Sequence, residues 1–244
     1  MTPGSSKRRP GFLFLFLVGA GLLGFAMAAQ NSEYASERAA MVQRLRTQGI
    51  RNERVLSSMS RVPRHRFVPE RFRAIAYEDE DIPVGDGVVL YRPHVIAIMA
   101  QVADPRPGAR IMHVGTGSGY LTAVLAEITP GVYALDGRPG VREAAKRRLA
   151  ELDYRSVRFE EGRACLGLPK EAPFDAIVCS CAAEHAPWAL LSQLGEGGRL
   201  VIPIGRGPEQ TLNCLRKTGG RFRAEAIPGV RIRVTPMSCN PDSP

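Results

Sequence analysis

Short apolar runs alternate with helical patterns between residues 110 and 204, and this alternation constrains the fold more than any other feature of the chain. Strands are predicted at 110–114, 132–135, 156–159, 176–179 and 199–204, with helices at 120–128, 141–152 and 189–194. Strands and helices that alternate at this spacing form a largely parallel sheet with helices on both faces. Two closing antiparallel strands are predicted at 210–215 and 231–234. The sequence therefore predicts an α/β fold with a doubly wound, mostly parallel sheet.

The chain of 244 residues is long enough for one substantial core with an N-terminal extension. We divide the chain into four segments: an N-terminal segment at 1–29, helices and a site-forming stretch at 30–106, the sheet-containing core at 107–238 and a tail at 239–244. Helices are predicted at 33–47 and 53–60. Four prolines at positions 63, 69, 83 and 93 then interrupt a polar stretch. We expect this stretch to be irregular and to shape a site without joining the core.

The first 29 residues have the composition of a targeting segment. Basic residues at 7–9 precede an uncharged run at 11–29 that ends in small residues. This pattern is typical of a secretory signal peptide, and its length also suits a membrane anchor. Either interpretation predicts an exported protein, periplasmic or attached to the inner membrane through residues 11–29. If translation begins at Met27 or Met41 instead, the protein is cytoplasmic.

The formal net charge of +9 comes from 33 basic and 24 acidic side chains. The arginines are scattered and lack the interleaved aromatic residues that a nucleic-acid groove uses. We therefore expect a solvated basic surface and no nucleic-acid partner. The four histidines show no metal-ligand spacing with each other or with the five cysteines, so no metal site is predicted.

A glycine-rich turn follows the first strand of the predicted parallel sheet. Gly115, Gly117 and Gly119 lie where the strand at 110–114 meets the next helix, and glycines there allow close approach of a ligand. Tyr120 occupies the position where a dinucleotide-binding fingerprint needs its last glycine, which argues against NAD. Asp136 ends the next strand, about 20 residues later, where a carboxylate can accept both hydroxyls of a ribose. Together the two features predict a nucleoside-containing ligand.

Several blocks of sequence occur in the order and spacing of a known family. They are 62–64 (VPR), 67–69 (FVP), 76–77 (AY), 81–85 (DIPVG), 115–120 (GTGSGY), 172–177 (APFDAI), 193–194 (QL) and 197–205 (GGRLVIPIG). From about residue 40 to residue 236 the chain resembles the protein-L-isoaspartate O-methyltransferases. The first and last blocks are specific to that family among methyltransferases.

The resemblance implies a Rossmann-like class I methyltransferase that uses S-adenosylmethionine to methylate isoaspartyl carboxylates of damaged proteins or peptides.

 We expect the protein to act as a monomer. The cofactor-binding residues that the resemblance implies are His113, Gly115, Thr116, Gly117, Ser118, Gly119, Asp136 and Arg163. Tyr91 stands at the position of a substrate-side hydroxyl and is the implied catalytic residue.

Three positions depart from the family pattern. The family's Thr-Ile-Ser-Gln-Pro is Val-Leu-Tyr-Arg-Pro at 89–93, so Tyr91 replaces a serine. His113 replaces a glutamate, and Arg163 replaces the aspartate of a Gly-Asp-Gly turn. Two of these changes put a basic group in place of an acid beside a cationic cofactor. Two alternative interpretations follow: a degenerate, non-catalytic relative that binds a peptide or protein, and a methyltransferase with a changed acceptor.

Overall fold

A computed structural model describes residues 34–234, 236 and 237 of the chain. The chain divides into two compact units, residues 1–37 and 38–244, and only residues 34–37 of the first unit are described. The targeting segment predicted at 1–29 and the tail at 239–244 lie outside the described residues. Within the described part of the chain, no helix is both long enough and apolar enough to cross a membrane.

A seven-stranded sheet forms the centre of the second unit, with the strand order β5-β4-β3-β6-β7-β8-β9. Its strands are β3 (Ile111–Val114), β4 (Val132–Leu135), β5 (Arg158–Glu160), β6 (Phe174–Cys179), β7 (Leu194–Ile204), β8 (Gln210–Thr218) and β9 (Arg221–Ile232). The pairs from β5 to β7 are parallel, whereas β7-β8 and β8-β9 are antiparallel. The chain order reverses between β3 and β6. The predicted doubly wound, mostly parallel α/β fold is therefore confirmed.

Six α-helices are described in this structure. They are α1 (Ala35–Thr47), α2 (Glu53–Arg61), α3 (Pro93–Ala103), α4 (Tyr120–Ala126), α5 (Pro139–Glu151) and α6 (Trp188–Ser192). The connection from β3 to β4 and that from β6 to β7 run in opposite directions along the sheet, so they lie on opposite faces, because such crossovers are right-handed. All four residues of β3 and all four of β4 are buried, as expected for strands that are covered on both faces.

The stretch from 62 to 93 contributes to the core, so the expectation that it would stay out of the core was wrong. Arg64 is fully buried, and its guanidinium donates to the carbonyl oxygens of Ala76 (2.6 Å) and Tyr91 (2.8 Å). It also stacks over the ring of Tyr120, with 4.9 Å to the ring centroid. Buried carbonyl groups of irregular backbone need hydrogen-bond donors, and one arginine supplies them here. The polar composition of residues 62–93 therefore led to a wrong prediction, because buried polar groups of this stretch bind one another.

This stretch also holds a two-stranded hairpin that the sequence did not reveal. Strands β1 (Ile82–Gly85) and β2 (Val88–Leu90) pair in antiparallel register, and α3 begins directly after them with Pro93 in its first turn. Proline suits the first turn of a helix because the backbone N–H it lacks has no partner there. Pro63, Pro69 and Pro93 therefore stand at the starts of helices, the first two before short 3-10 helices at Arg64–Phe67 and Glu70–Ile75, whereas Pro83 lies within β1.

The C-terminal strands are longer than predicted. Strand β7 begins at Leu194, before the predicted 199, and β9 covers Arg221–Ile232, where only 231–234 was predicted. Most positions of β9 are exposed, because β9 is the last strand of the sheet and pairs only with β8. An exposed edge strand lacks the apolar alternation on which strand prediction depends.

Candidate active site

A cavity of about 340 Å³ opens at the carboxyl ends of β3, β4 and β6, beside the reversal of strand order. This is where ligands bind in doubly wound sheets. Its volume is within the range of small-molecule sites. Hairpin residues from Gly87 to Leu90 form one wall, and the glycine-rich turn forms another. Eight of the nine predicted site residues line the cavity: Tyr91, His113, Gly115, Thr116, Gly117, Ser118, Asp136 and Arg163.

Gly119, the ninth predicted residue, does not line the cavity. The packing of the turn against α5 requires a glycine at this position. Its φ of +89° lies in the left-handed region, and an added Cβ would come within 2.5 Å of Leu149 Cδ1 on α5. Gly117 has a φ of +55°, and a Cβ there would lie 3.2 Å from Val88 Cγ1 of the hairpin. Glycine is therefore needed at position 119 because a helix packs closely against it, and at position 117 because the cavity wall does.

The carboxylate of Asp136 joins the ends of β3 and β4. Its Oδ2 atom accepts a hydrogen bond from the backbone N–H of Gly117 at 3.1 Å, and the residue is 4% exposed. The predicted pairing of the glycine turn with this acid therefore appears as a direct contact. An acceptor group held at this point can bind the hydroxyls of a ribose.

Arg138 already contacts the same carboxylate, and the sequence did not draw attention to it. Its backbone N–H and Nε donate to Asp136 Oδ1 at 3.1 and 3.2 Å, and Nη2 donates to Oδ2 at 3.4 Å. The Arg138 side chain is 37% exposed, compared with 3% for that of Asp136. A ligand that uses Asp136 therefore has to share the carboxylate with this guanidinium or displace it.

His113 lies beneath the cavity, between two hydroxyl groups. Its Nδ1 is 2.8 Å from Thr122 Oγ1 on α4, and its Nε2 is 2.9 Å from Ser180 Oγ at the end of β6. The residue is 1% exposed, and burial lowers the pKa of the imidazole to about 4. His113 is therefore neutral at physiological pH, and the departure from glutamate places no cation in the site.

The hydroxyl of Tyr91 is bound to the protein backbone. It donates to the carbonyl oxygen of Ser180 at 3.0 Å, and the residue is 8% exposed. Burial raises the pKa of this phenol well above its usual value, so the group stays protonated. Tyr91 thus lines the cavity, but its proton is engaged by the Ser180 carbonyl.

Arg163 lies at the exposed rim of the cavity, on the segment after β5. Nearby Glu161 also lines the cavity and pairs with Arg142, at 3.3 Å between Nη2 and Oε2. Because water screens an exposed guanidinium, its effect on a cationic ligand is smaller than at a buried position. This departure is therefore milder than the sequence suggested.

Ser180 and Cys181 are cavity residues that the sequence analysis missed, together with Arg138 and Glu161. Ser180 follows the last residue of β6, whose carboxyl end faces the cavity as those of β3 and β4 do. The predicted strand at 176–179 contained the signal that could have identified Ser180. The contact of Pro236 and Met237 with the cavity has no such local signal, because it depends on a bridge between Pro236 and Ala182.

The donor and acceptor groups of the cavity fit an S-adenosyl ligand. Thr116 Oγ1 is buried without a hydrogen-bond partner among the described residues, and it lies on the cavity wall. Buried hydroxyls are almost always hydrogen-bonded, so this group points to a polar ligand. Asp136 offers acceptors for ribose hydroxyls, and Val88, Leu90, Ile96 and Leu121 supply apolar surface for a purine.

The sheet order, the glycine turn and the acid at the end of β4 define a Rossmann-like class I methyltransferase fold. Residues 36–235 match the family model described as Protein-L-isoaspartate(D-aspartate) O-methyltransferase (PCMT). The chain belongs to this family. Protein-L-isoaspartate O-methyltransferase 2 of Anaeromyxobacter sp. (strain Fw109-5) is 44% identical over 207 residues, covering 84% of this chain and 85% of the relative.

Solved structures support the same fold. A structure of a protein-L-isoaspartate O-methyltransferase aligns with a TM-score of 0.74 and 22% identity, over 82% of this chain and 66% of that chain. A Plasmodium falciparum structure, described as a protein-L-isoaspartate O-methyltransferase in complex with S-adenosyl-L-homocysteine, has a TM-score of 0.71 and 23% identity. That alignment covers 83% of this chain and 99% of that one.

Proposed function

We propose that this protein is a protein-L-isoaspartate O-methyltransferase, which transfers a methyl group from S-adenosylmethionine to isoaspartyl carboxylates. The contact between Asp136 and the Gly117 backbone, inside the cavity at the ends of β3 and β4, is the observation that carries the proposal. Family membership and the 44% identical relative support it. The S-adenosyl-L-homocysteine in the Plasmodium falciparum structure supports the choice of cofactor.

The chemistry needs few catalytic groups on the protein. When bound, S-adenosylmethionine supplies an electrophilic methyl group attached to a sulfonium. An isoaspartyl carboxylate is already ionised at neutral pH, so the protein has to align it and exclude water, without a general base. Asp136 and the glycine turn are assigned to the cofactor side of the cavity. Tyr91, which stands where the family has a substrate-side serine, is assigned to the acceptor side. Burial lowers the pKa of His113 to about 4 and makes the imidazole a weak base, which is compatible with this reaction.

A second candidate is a relative that binds a peptide or protein without catalysis. The observation that favours it is the contact of Arg138 with both oxygens of Asp136, because this contact competes with the ribose of a cofactor. A changed acceptor is a third candidate. It is favoured by the engaged hydroxyl of Tyr91, which leaves the acceptor side without the free hydroxyl expected at that position.

One pair of measurements separates these candidates. Calorimetric titration of the purified full-length protein with S-adenosylmethionine measures cofactor binding, and a methyl-transfer assay compares an isoaspartyl peptide with the aspartyl peptide of the same sequence. The proposed function requires binding and transfer to the isoaspartyl peptide alone. Absence of cofactor binding would support the non-catalytic candidate, and binding without transfer to either peptide would support a changed acceptor.

We also propose that the protein is exported or anchored in the inner membrane and acts as a monomer. The basis for the location is the basic start at 7–9 and the uncharged run at 11–29. A reporter enzyme fused after Gln30 tests this: activity outside the cytoplasm is expected, and activity in the cytoplasm alone would contradict it. Sedimentation of the purified protein tests the monomeric state.

A further inference from the structure

We propose that Ser180 is a substrate-binding residue that donates a hydrogen bond to the isoaspartyl carboxylate, and that His113 is the positioning residue which turns the Ser180 hydroxyl toward the cavity. This inference rests on the proposed function, because it names the group that binds the acceptor of that reaction. It begins with the hydrogen-bond chain Thr122–His113–Ser180.

The first step assigns the proton of Thr122. This residue is fully buried, and among the described residues its hydroxyl has one hydrogen-bond partner, His113 Nδ1, at 2.8 Å. A buried hydroxyl proton that finds an acceptor is donated to it, since leaving it unpaired is costly. Thr122 therefore donates to Nδ1, and this ring nitrogen carries no proton.

The second step follows from the tautomer of His113. A neutral imidazole carries one proton, so with Nδ1 acting as an acceptor the proton is on Nε2. Burial lowers the pKa of His113 to about 4, which keeps the ring neutral. Nε2 therefore donates to Ser180 Oγ across 2.9 Å. The hydrogen-bond chain runs in one direction, from α4 toward the cavity.

The third step concerns the Ser180 proton. Its hydroxyl oxygen accepts from His113, and among the described residues the hydroxyl has no acceptor of its own. Ser180 lines the cavity and is half-buried, so its O–H is free to donate to a ligand there. A donor at this point selects a ligand group with acceptor oxygens.

The backbone of Ser180 is fixed on both sides, which makes the hydroxyl a preorganised group. Its N–H donates to the carbonyl oxygen of Val114 at 2.8 Å, and its carbonyl oxygen accepts from the Tyr91 hydroxyl at 3.0 Å. Tyr91 stands where the family has a substrate-side serine, so its contact with Ser180 assigns Ser180 to the acceptor side as well. Ser180 thus supplies the free hydroxyl that Tyr91 cannot offer.

A neutral hydroxyl suits this reaction. It can hold one oxygen of the acceptor carboxylate while the other oxygen remains available to attack the methyl group. The attack forms the O–CH₃ bond of the ester, and the bonding electrons of the broken S–CH₃ bond stay on sulfur. No proton is transferred, so the Ser180 proton stays on its oxygen throughout.

The test begins with steady-state kinetics of the full-length protein and its Ser180→Ala variant on an isoaspartyl peptide. Loss of a hydrogen bond to a charged group predicts a rise of roughly 10- to 100-fold in the KM for the peptide. The dissociation constant for S-adenosylmethionine, measured by calorimetry, is expected to change by less than about 3-fold, since the proposed hydrogen bond goes to the peptide carboxylate. Ser180→Thr retains the hydroxyl and is expected to recover part of the peptide affinity.

Ser192→Ala is the matched control, because Ser192 is exposed on α6 and its hydroxyl donates to the Ala189 carbonyl. His113 variants test the direction of the chain. The Gln amide of His113→Gln can still donate to Ser180, whereas the carboxylate of His113→Glu can only accept and would turn the Ser180 proton away from the cavity. We expect a larger KM for the peptide in His113→Glu than in His113→Gln. A merely structural role would predict no such order.

The outcomes separate this inference from the proposed function. Transfer by the wild type, with an unchanged peptide KM in Ser180→Ala, would overturn the inference alone. A weakened affinity for S-adenosylmethionine with an unchanged peptide KM would assign the hydroxyl to the cofactor carboxylate and also overturn it. Absence of transfer by the wild type would overturn the proposed function and this assignment together. Ser180→Ala removes one atom from a half-buried side chain, so thermal unfolding is expected to confirm a folded variant.

Discussion

The guanidinium of Arg138 binds both carboxylate oxygens of Asp136, two residues earlier in the chain, through Nε at 3.2 Å and Nη2 at 3.4 Å. Asp136 is buried and faces the cavity, whereas Arg138 is more than one-third exposed on its side chain. The affinity for a ribose-containing ligand therefore depends on how readily the arginine releases the acid.

Arg138→Ala is expected to tighten the binding of S-adenosylmethionine. It frees the acceptors of Asp136 and removes a cation beside a cationic ligand, and a gain of about 1 kcal/mol, roughly 5-fold in the dissociation constant, is expected. Calorimetry measures it. Arg155→Ala is a matched control, because Arg155 pairs with Asp153 through the same spacing on an exposed surface. Weaker binding by Arg138→Ala would mean that the guanidinium contacts the ligand.

Asp136→Asn is expected to weaken the binding of S-adenosylmethionine by roughly 10- to 100-fold, the range for loss of charge-assisted hydrogen bonds. The amide keeps the size of the side chain but loses one acceptor oxygen and the charge that Arg138 and Gly117 contact. Calorimetry and the KM for the cofactor both report the change. An unaltered affinity would show that the ribose does not use this carboxylate.

Gly119→Ala is expected to lower the free energy of unfolding by about 1 to 3 kcal/mol. Two causes combine: a left-handed φ of +89° and a Cβ placed 2.5 Å from Leu149 Cδ1. Urea unfolding followed by circular dichroism measures the loss. Gly140→Ala is the control within α5, since a Cβ there meets nothing within 4 Å, and it is expected to be neutral or slightly stabilising. Equal stabilities of the two variants would contradict the packing argument.

The free energy of unfolding is expected to fall as the pH decreases from about 6.5 toward 4. Burial lowers the pKa of His113 to about 4, so in this range the unfolded chain binds a proton that the folded protein excludes. The stabilisation is fully present above pH 6.5 and is lost as the pH falls to the folded-state pKa. The slope contributed by one such group is up to ~1.4 kcal/mol per pH unit.

Comparison of the wild type with His113→Gln isolates this contribution, because the other acidic and basic groups are common to both proteins. We expect a shallower decline of stability between pH 6.5 and 4 in the variant, measured by urea unfolding at a series of pH values. Parallel pH profiles would show that His113 takes up its proton in the folded protein as readily as in the unfolded chain.

The local pattern around the glycine turn was enough to predict much of the site. A strand, a glycine-rich turn and a helix come in sequence, and Asp136 ends the next strand, so parallel geometry brings the two ends together. Gly115, Gly117 and Asp136 therefore meet in one cavity. The family resemblance, and not this pattern, supplied the other five predicted residues that line it: Tyr91, His113, Thr116, Ser118 and Arg163. Arg138 and Ser180 were missed because nothing near them in the sequence shows which atoms their side chains contact.

Sequence by itself determined the fold class, the alternation of strands and helices along the chain and the position of the ligand site, because apolar periodicity and glycine at a strand end are local signals. Only the tertiary structure decided the charge and hydrogen bonding of the site. Burial sets the neutral state of His113, and the contact between Tyr91 and Ser180 joins residues 89 positions apart. Solvent exclusion and long-range contacts arise only when the chain is folded, so they cannot be predicted from a local sequence pattern.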